Sequence, residues 1–168
     1  MRDPAPIIVT ALFGSADFAW LDGLRRAHFP PERNVVAAHL TLFHHLPPSA
    51  LEEVKRLLAH VTARPAPKAE ATGLFSLGRG TAIAVGAPEL SAIRETLADA
   101  LAGLLVPQDQ AGWRLHVTIQ NKVDPQAARA LQSTLQAEWS RRALHIAGLA
   151  TWAYRGGPWD PISRHMFR

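Results

Sequence analysis

Short runs in which apolar and polar residues alternate are separated along this chain by longer stretches with apolar residues at helical spacing. Alternation places successive side chains on opposite faces of a strand, whereas a spacing of three to four residues places them on one side of a helix. The apolar run over 7–13 predicts a strand, and Gly14-Ser15 opens a predicted amphipathic helix that extends to Ala27. Further strands are predicted at about 37–43, 70–77, 81–85, 144–154 and 162–167.

The remaining helices are predicted from start signals as well as from spacing. Ser49 and Glu52 have the form of a capping box, which opens a helix. Pro88 begins a long stretch of apolar residues at helical spacing, and Asp124-Pro125 resembles an N-cap followed by a proline at the first helical position. Strands therefore alternate with helices along much of the chain, and this order predicts an α+β fold.

Two of the predicted strands carry the same polar pattern. His39-Leu40-Thr41-Leu42 recurs 77 positions later as His116-Val117-Thr118-Ile119. On a strand, the His and the Thr of each motif share one face while the two apolar residues face a core. A single motif is what an ordinary strand with one polar face would show. Only about 0.1 such motifs are expected by chance at this composition, so the pair indicates a function.

The surroundings of the two motifs also repeat. Each motif strand is followed by a predicted helix and then by a strand containing Gly-Leu, at Gly73-Leu74 and Gly148-Leu149. This self-similarity predicts that residues 1–168 form a single bilobal domain. Its two pseudo-symmetric lobes would each be an antiparallel sheet backed by helices, and a pseudo-twofold axis would bring both polar strand faces together across a central cleft.

The composition limits the chemistry that such a cleft can perform. The chain has no cysteine, so disulfides, thiolate nucleophiles and cysteine-based zinc sites are excluded. The net charge is +4, and the scattered basic residues, which are mostly arginine, mildly favour an anionic ligand. No apolar run is long enough to span a membrane, and the first residues lack the segments of a signal peptide. We therefore expect a cytoplasmic protein.

Two histidines that face one ligand can act in opposite protonation states, because the pKa of imidazole lies near neutrality. One accepts a proton from a nucleophile and the other gives a proton to a leaving group. The two Thr hydroxyls can donate hydrogen bonds to an anion held between the imidazoles. A phosphorus centre suits this arrangement, because its terminal oxygens need donors and its entering and leaving oxygens lie on opposite sides. This chemistry needs no metal and no cofactor.

The paired motifs and their flanks resemble those of the two-histidine phosphoesterase superfamily, which includes bacterial 2′-5′ RNA ligase-like proteins and cyclic nucleotide phosphodiesterases. The resemblance covers essentially the whole chain. It implies that His39 and His116 are catalytic and that Thr41 and Thr118 bind phosphate. The implied reaction is the metal-independent opening of a 2′,3′-cyclic phosphate of a nucleotide or an RNA end by water. Ligation or cleavage of a 2′-5′ RNA linkage would be the same displacement with a ribose hydroxyl.

A second interpretation is a non-catalytic nucleotide- or RNA-binding module of the same fold, although both His and both Thr are intact. By alternation, Phe43 shares the face of His39 and Thr41, where it could stack on a base or pack against a lobe. Arg114 shares the face of His116, where it could contact phosphate or remain a surface residue.

Other residues near the motifs leave their roles open. Gln120 faces the cleft by alternation, and Trp152 and Tyr154 could either flank a ligand or pack in the core. His44 and His45 suggest a metal site, but adjacent strand residues point to opposite faces and no usual ligand set is complete. We expect a monomer that binds a nucleotide or RNA cyclic phosphate, with no metal and no membrane partner.

Overall fold

The computed structural model describes residues 4–168, which form an α+β structure of seven strands and five helices with two short 3₁₀ turns. The strands are β1 (Ile7–Phe13), β2 (Leu40–Leu46), β3 (Lys68–Ser76), β4 (Thr81–Gly86), β5 (His116–Gln120), β6 (Arg142–Ala153) and β7 (Asp160–Met166). The helices are α1 (Ser15–His28), α2 (Leu51–Val61), α3 (Pro88–Ala100), α4 (Pro107–Gln110) and α5 (Pro125–Ala137), and the 3₁₀ turns are Pro31–Arg33 and Pro48–Ala50. The predicted fold class is confirmed.

All strand pairs in the sheet are antiparallel, and the strand order is β2-β1-β6-β3-β4-β5, with β7 also paired to β6. The 12-residue strand β6 joins the two lobes. Its first residues pair with β3, and its later residues lie between β1 and β7. One lobe is thus β2, β1, β7 and most of β6, and the other is β5, β4, β3 and the start of β6.

The lobes do not follow the two halves of the chain. The strand β3 comes after the first motif and α2, yet it pairs with β4 of the second lobe. In the same way β6 comes after the second motif and α5, yet it pairs with β1 of the first lobe. Each motif is thus followed along the chain by a strand that pairs with the other lobe, so the two lobes share one continuous sheet.

The two motif strands lie at opposite ends of the strand order but contact each other in space. The sheet bends until β2 and β5 are neighbours, and helix α1 packs against β5. A large group of apolar side chains lies beneath the sheet, and among the fully buried ones are Ile7, Leu21, Leu40, Leu42, Ile83, Leu90 and Ile119. This core fixes the sheet curvature on which the cleft depends.

Side chains from each lobe hold the outer edge of the other lobe's motif strand. A strand at the end of a sheet has carbonyl groups without a backbone partner, and these need donors when they are buried. Arg25 on α1 donates to the Thr118 carbonyl at 2.9 Å, and Arg94 on α3 donates to the Leu42 carbonyl at 3.2 Å. The Trp113 indole N–H donates to the Thr41 carbonyl at 3.0 Å. These three bonds fix the two motif strands relative to each other.

Two helix-start predictions have different outcomes. The capping box at Ser49 is wrong: Ser49 lies in the 3₁₀ turn Pro48–Ala50, and α2 begins at Leu51 without a side-chain cap. The two prolines before Ser49 fix the local backbone in a turn that the capping geometry would not allow. Pro125 at the first position of α5 is confirmed, with Asp124 at the N-cap position. None of the helices in residues 4–168 is long and apolar enough to cross a membrane.

Candidate active site

A small pocket of about 140 Å³ lies where the motif strands meet, and both motifs line it. His39, the residue just before β2, and Thr41 on β2 face this pocket from one side. His116 and Thr118 face it from β5. The apolar residues of the motifs point the other way and are fully buried, namely Leu40, Leu42, Val117 and Ile119. The alternation expected from the sequence therefore holds across both motifs, and two imidazoles and two hydroxyls share one cavity.

Each motif imidazole is held by an equivalent hydrogen bond to a backbone carbonyl two residues earlier. His39 Nδ1 lies 2.8 Å from the carbonyl oxygen of Ala37, and His116 Nδ1 lies 2.8 Å from that of Arg114. A carbonyl oxygen only accepts, so each Nδ1 carries the proton that is donated. In the neutral ring, Nε2 is then the nitrogen with a free lone pair. The equivalent bonds hold both rings in place and leave Nε2 as the nitrogen without a backbone partner among these contacts.

The surroundings of His39 favour its neutral form. Burial in the cleft lowers the pKa of His39 to about 4, because desolvation disfavours the charged ring. The hydrogen bond to Ala37 opposes this shift, whereas the positive charge of Arg25 and any charge on the His116 and His44 rings add to it. His39 is therefore a neutral imidazole near pH 7, with Nε2 free to accept a proton.

Phe43 does not face the pocket, so the prediction that it shares the face of His39 and Thr41 is wrong. Val9 pairs with Phe43 and the next residue, Thr10, pairs with Thr41, so β2 has one extra residue at this point. Such a β-bulge breaks the alternation and turns the following side chains over. Phe43 is fully buried, with the Arg94 guanidinium 4.5 Å from its ring centre.

The bulge brings His44 into the pocket in place of Phe43. Its Nδ1 lies 2.9 Å from the carboxylate of Asp109, a buried residue of the short helix α4. The backbone N–H groups of His44 and His45 also donate to this carboxylate, at 2.9–3.1 Å. The sequence alone linked His44 only to a metal site and gave no signal for Asp109, which lies 65 positions away.

Arg114 lies beside the second motif but is exposed. Its guanidinium stacks 4.0 Å from the centre of the Phe75 ring, and Phe75 contacts His116 edge-on at 5.3 Å. Arg114 therefore packs on the wall behind His116, and its proposed contact with phosphate stays a prediction. Gln120 is buried instead of facing the cleft, and its side-chain carbonyl accepts a bond from Thr81 at 3.0 Å.

A larger cavity of about 480 Å³ adjoins the small pocket. His39 and Trp159 line both cavities, and their rings contact each other with centres 4.5 Å apart. Trp152 also lines the larger cavity, whereas Tyr154 is exposed. Trp159 was missed in the sequence because it follows the Gly156-Gly157-Pro158 turn, and only the pairing of β7 with β6 returns it to the cleft.

The metal interpretation of the histidines has little support in the geometry. Within residues 4–168, no three His, Asp or Glu side chains lie close enough together to hold a metal ion. The carboxylate nearest to His44 is Asp109, and its oxygens are already taken by N–H donors. Hydrogen-bonding and proton-transfer groups thus dominate the pocket.

Comparison with known families and structures shows which family the chain belongs to. The profile of the 2′-5′ RNA ligase superfamily matches residues 13–158, a range that includes both motifs and all the strands between them. The chain belongs to the 2′-5′ RNA ligase superfamily. No curated protein is significantly similar to the chain in sequence. Membership in the superfamily therefore rests on the family profile and on the fold.

Crystal structures of other proteins share the whole fold at low sequence identity. TT0787 of Thermus thermophilus is 15% identical, with a TM-score of 0.66 over 97% of this chain and 98% of that chain. LigT of E. coli, in its complex with NADP+, is 18% identical, with a TM-score of 0.65 over 98% of this chain and 99% of that chain. At these identities the likeness establishes the fold alone.

Proposed function

We propose that this protein is a metal-independent phosphodiesterase that opens 2′,3′-cyclic phosphates of nucleotides or RNA ends. The observation that carries the proposal is the convergence of two Nδ1-anchored imidazoles and two Thr hydroxyls on one pocket. Membership in the 2′-5′ RNA ligase superfamily supports an enzyme of this kind. We also infer that the phosphoryl group lies between His39 and His116.

In the proposed reaction, His39 is the general base. Its neutral Nε2 takes a proton from water while the water oxygen forms a bond to phosphorus. The P–O bond to one ribose oxygen breaks, and His116, acting as an imidazolium, gives a proton to that oxygen. The products are a phosphomonoester and a free ribose hydroxyl. Replacing water by a ribose hydroxyl in the same step gives ligation, so the ligase activity in the superfamily's name could use the same residues.

The threonines would serve the phosphoryl oxygens. Thr41 and Thr118 each place a hydroxyl on the pocket face two residues after a motif histidine. The cyclic phosphate has two terminal oxygens, and each could accept one hydroxyl donor. Donors fixed in advance stabilise the charge that grows on these oxygens in the transition state. This assignment uses all four motif side chains.

The larger cavity supports a nucleotide as the substrate. It adjoins the proposed phosphate position and presents the rings of Trp152 and Trp159, whose centres are 6.2 Å apart. Aromatic rings bind nucleobases by stacking, with little dependence on the base. LigT of E. coli has been crystallised with NADP+, 3′-AMP and ATP, which fits a nucleotide ligand for this fold. Trp159 lines both cavities, so it would lie between a base in the larger cavity and the phosphate in the small pocket.

The direct test is turnover of the four nucleoside 2′,3′-cyclic phosphates by the purified protein in EDTA. We expect conversion to nucleoside monophosphates, separated by chromatography, with no loss of rate in the chelator. The position of the product phosphate reports which P–O bond opens. Activity that appears only with added zinc or manganese would contradict the metal-independent mechanism. No turnover of any of the four would favour either an RNA end as the substrate or the binding module.

The pH dependence of kcat/KM is a second expected result. His39 has its pKa lowered to about 4, so it stays neutral as the pH falls from 7 to 5 and takes up a proton only near pH 4. A protonated base cannot accept the proton from water, so protonation of His39 should lower kcat/KM only below about pH 5, with the decline on the acid side centred near pH 4. Histidine with its ordinary pKa of about 6.5 would place this decline more than two pH units higher.

Rates measured from pH 3.5 to 8 distinguish the two cases. Circular dichroism at each pH shows whether the protein is still folded where the rate declines. A decline centred near pH 6.5 in folded protein would contradict the proposal that His39, with its pKa lowered by burial, is the general base.

A further inference from the structure

We propose that His44 is a third phosphate-binding side chain, which binds the terminal oxygen that a phosphomonoester has and a cyclic phosphodiester lacks. The inference rests on the proposed function for the position of the phosphoryl group. It assigns a role to a side chain outside both His-x-Thr motifs. It also predicts that the site binds a phosphomonoester more tightly than a cyclic phosphodiester.

The position of His44 comes from the bulge in β2. Without the extra residue, alternation would turn His44 away from Thr41 and towards the core. The bulge instead places His44 in the pocket with both motif histidines and both threonines. His44 also lies near enough to His39 for a charge on its ring to lower the pKa of His39. The three imidazoles therefore surround one small cavity.

Asp109 orients the His44 ring. Burial by itself would raise the pKa of this carboxyl, but the N–H groups of His44 and His45 outweigh burial and lower the pKa, so Asp109 is a carboxylate. A carboxylate only accepts, so His44 Nδ1 at 2.9 Å carries a proton. Nε2 is then the ring nitrogen left for the pocket. An imidazolium bound to Asp109 at Nδ1 can donate from Nε2 to an anion, and Asp109 acts as a positioning residue.

Counting donors and acceptors indicates which phosphate His44 serves. The proposed contacts of Thr41 and Thr118 occupy the two terminal oxygens of a cyclic phosphodiester. Ring opening adds the oxygen of water, so the monoester has three terminal oxygens and one more negative charge near neutral pH. A third, charge-assisted donor matches this extra oxygen. His44 is thus expected to stabilise bound monoester more than bound cyclic diester.

The test compares His44→Gln with His45→Gln. The two residues are adjacent, but the His45 side chain is exposed and does not line the pocket. Calorimetry with inorganic phosphate and with 3′-AMP gives Kd without any need for turnover. We expect the Kd of both ligands to rise about tenfold in His44→Gln, the usual worth of one charge-assisted bond, and to be unchanged in His45→Gln. The KM for a 2′,3′-cyclic phosphate should rise by a smaller factor.

Long-range ¹H–¹⁵N spectra of the histidine rings give a readout that does not depend on a variant. We expect a protonated Nδ1 in His44 of the free protein and a shift of its Nε2 signal when phosphate is added. Equal Kd values in the two variants, or no binding of phosphate by the wild-type protein, would overturn the inference. A loss confined to the cyclic diester would overturn it as well.

These outcomes separate the inference from the proposed function. Binding of phosphate that depends on His44, in a protein that turns over no cyclic phosphate, would keep the inference and reject the enzyme. Turnover by a protein whose His44→Gln variant binds 3′-AMP as the wild type does would keep the enzyme and reject the inference.

Discussion

Replacing His39 or His116 by alanine is expected to lower kcat for a 2′,3′-cyclic phosphate by about 10²–10⁴-fold, the usual worth of a positioned general acid or base. His39→Ala removes the group that takes the proton from water, and His116→Ala removes the group that protonates the leaving oxygen. KM should change far less, because the Thr hydroxyls and the aromatic cavity still bind the substrate. Rates of both variants in EDTA, measured by product chromatography, check this expectation.

The double variant adds a sharper test. If the two histidines act in one step, removing the second after the first costs little more, so the double variant should be nearly as active as either single one. The matched control is His60→Ala, because His60 is an exposed histidine on α2, away from the pocket. Circular dichroism should show the same fold in all variants. A rate close to that of the wild type in either single variant would reject the two-histidine mechanism.

The sequence was sufficient for the motif strands because their signal is local and repeated. Alternation over His39-Leu40-Thr41-Leu42 and His116-Val117-Thr118-Ile119 determines which side chains face a core, whatever the rest of the fold does. The burial of the four apolar residues agrees with this interpretation. The exchange of β3 and β6 between lobes was beyond such reasoning, because strand pairing over long separations depends on the packing of the whole sheet.

The bulge in β2 explains the main error at the site. Alternation was extended from Thr41 to Phe43, but the pairing with β1 has an extra residue there. A bulge is a property of two strands together, so the sequence of β2 alone carries no clear sign of it. The same extra residue buries Phe43 and exposes His44 to the pocket. One register irregularity thus places a histidine in the pocket where alternation predicts an aromatic side chain.

The remaining site residues come from segments far away in the sequence. Trp159 contacts His39 from the connection between β6 and β7. Asp109 contacts His44 from the short helix α4. Burial of Arg25 and Arg94 is not expected from the sequence, because an arginine on an amphipathic helix normally faces solvent. Their burial becomes understandable only when the unpaired carbonyls of the opposite motif strand are in place.

Arg94→Ala is expected to lower the free energy of unfolding by about 3 kcal/mol, because two buried carbonyls lose their donor. Arg94 donates to the Leu42 carbonyl at 3.2 Å and to the Asp109 carbonyl at 2.6 Å. Its guanidinium also packs 4.5 Å from the Phe43 ring centre and 5.4 Å from the Trp113 ring centre, which adds a cation–π contribution. Arg94→Lys should recover part of the loss, since an ammonium can reach one carbonyl but lacks the planar fork.

Urea unfolding followed by circular dichroism measures this difference, with Arg129→Ala as the control because Arg129 is exposed on α5. The control should stay within about 0.5 kcal/mol of the wild type. Arg94 fixes both the edge of β2 and the segment that carries Asp109, so its loss should also lower kcat/KM in protein that is still folded. Unchanged stability in Arg94→Ala would mean that water replaces the guanidinium at both carbonyls. In that case Arg94 would not be what holds the first motif strand in place.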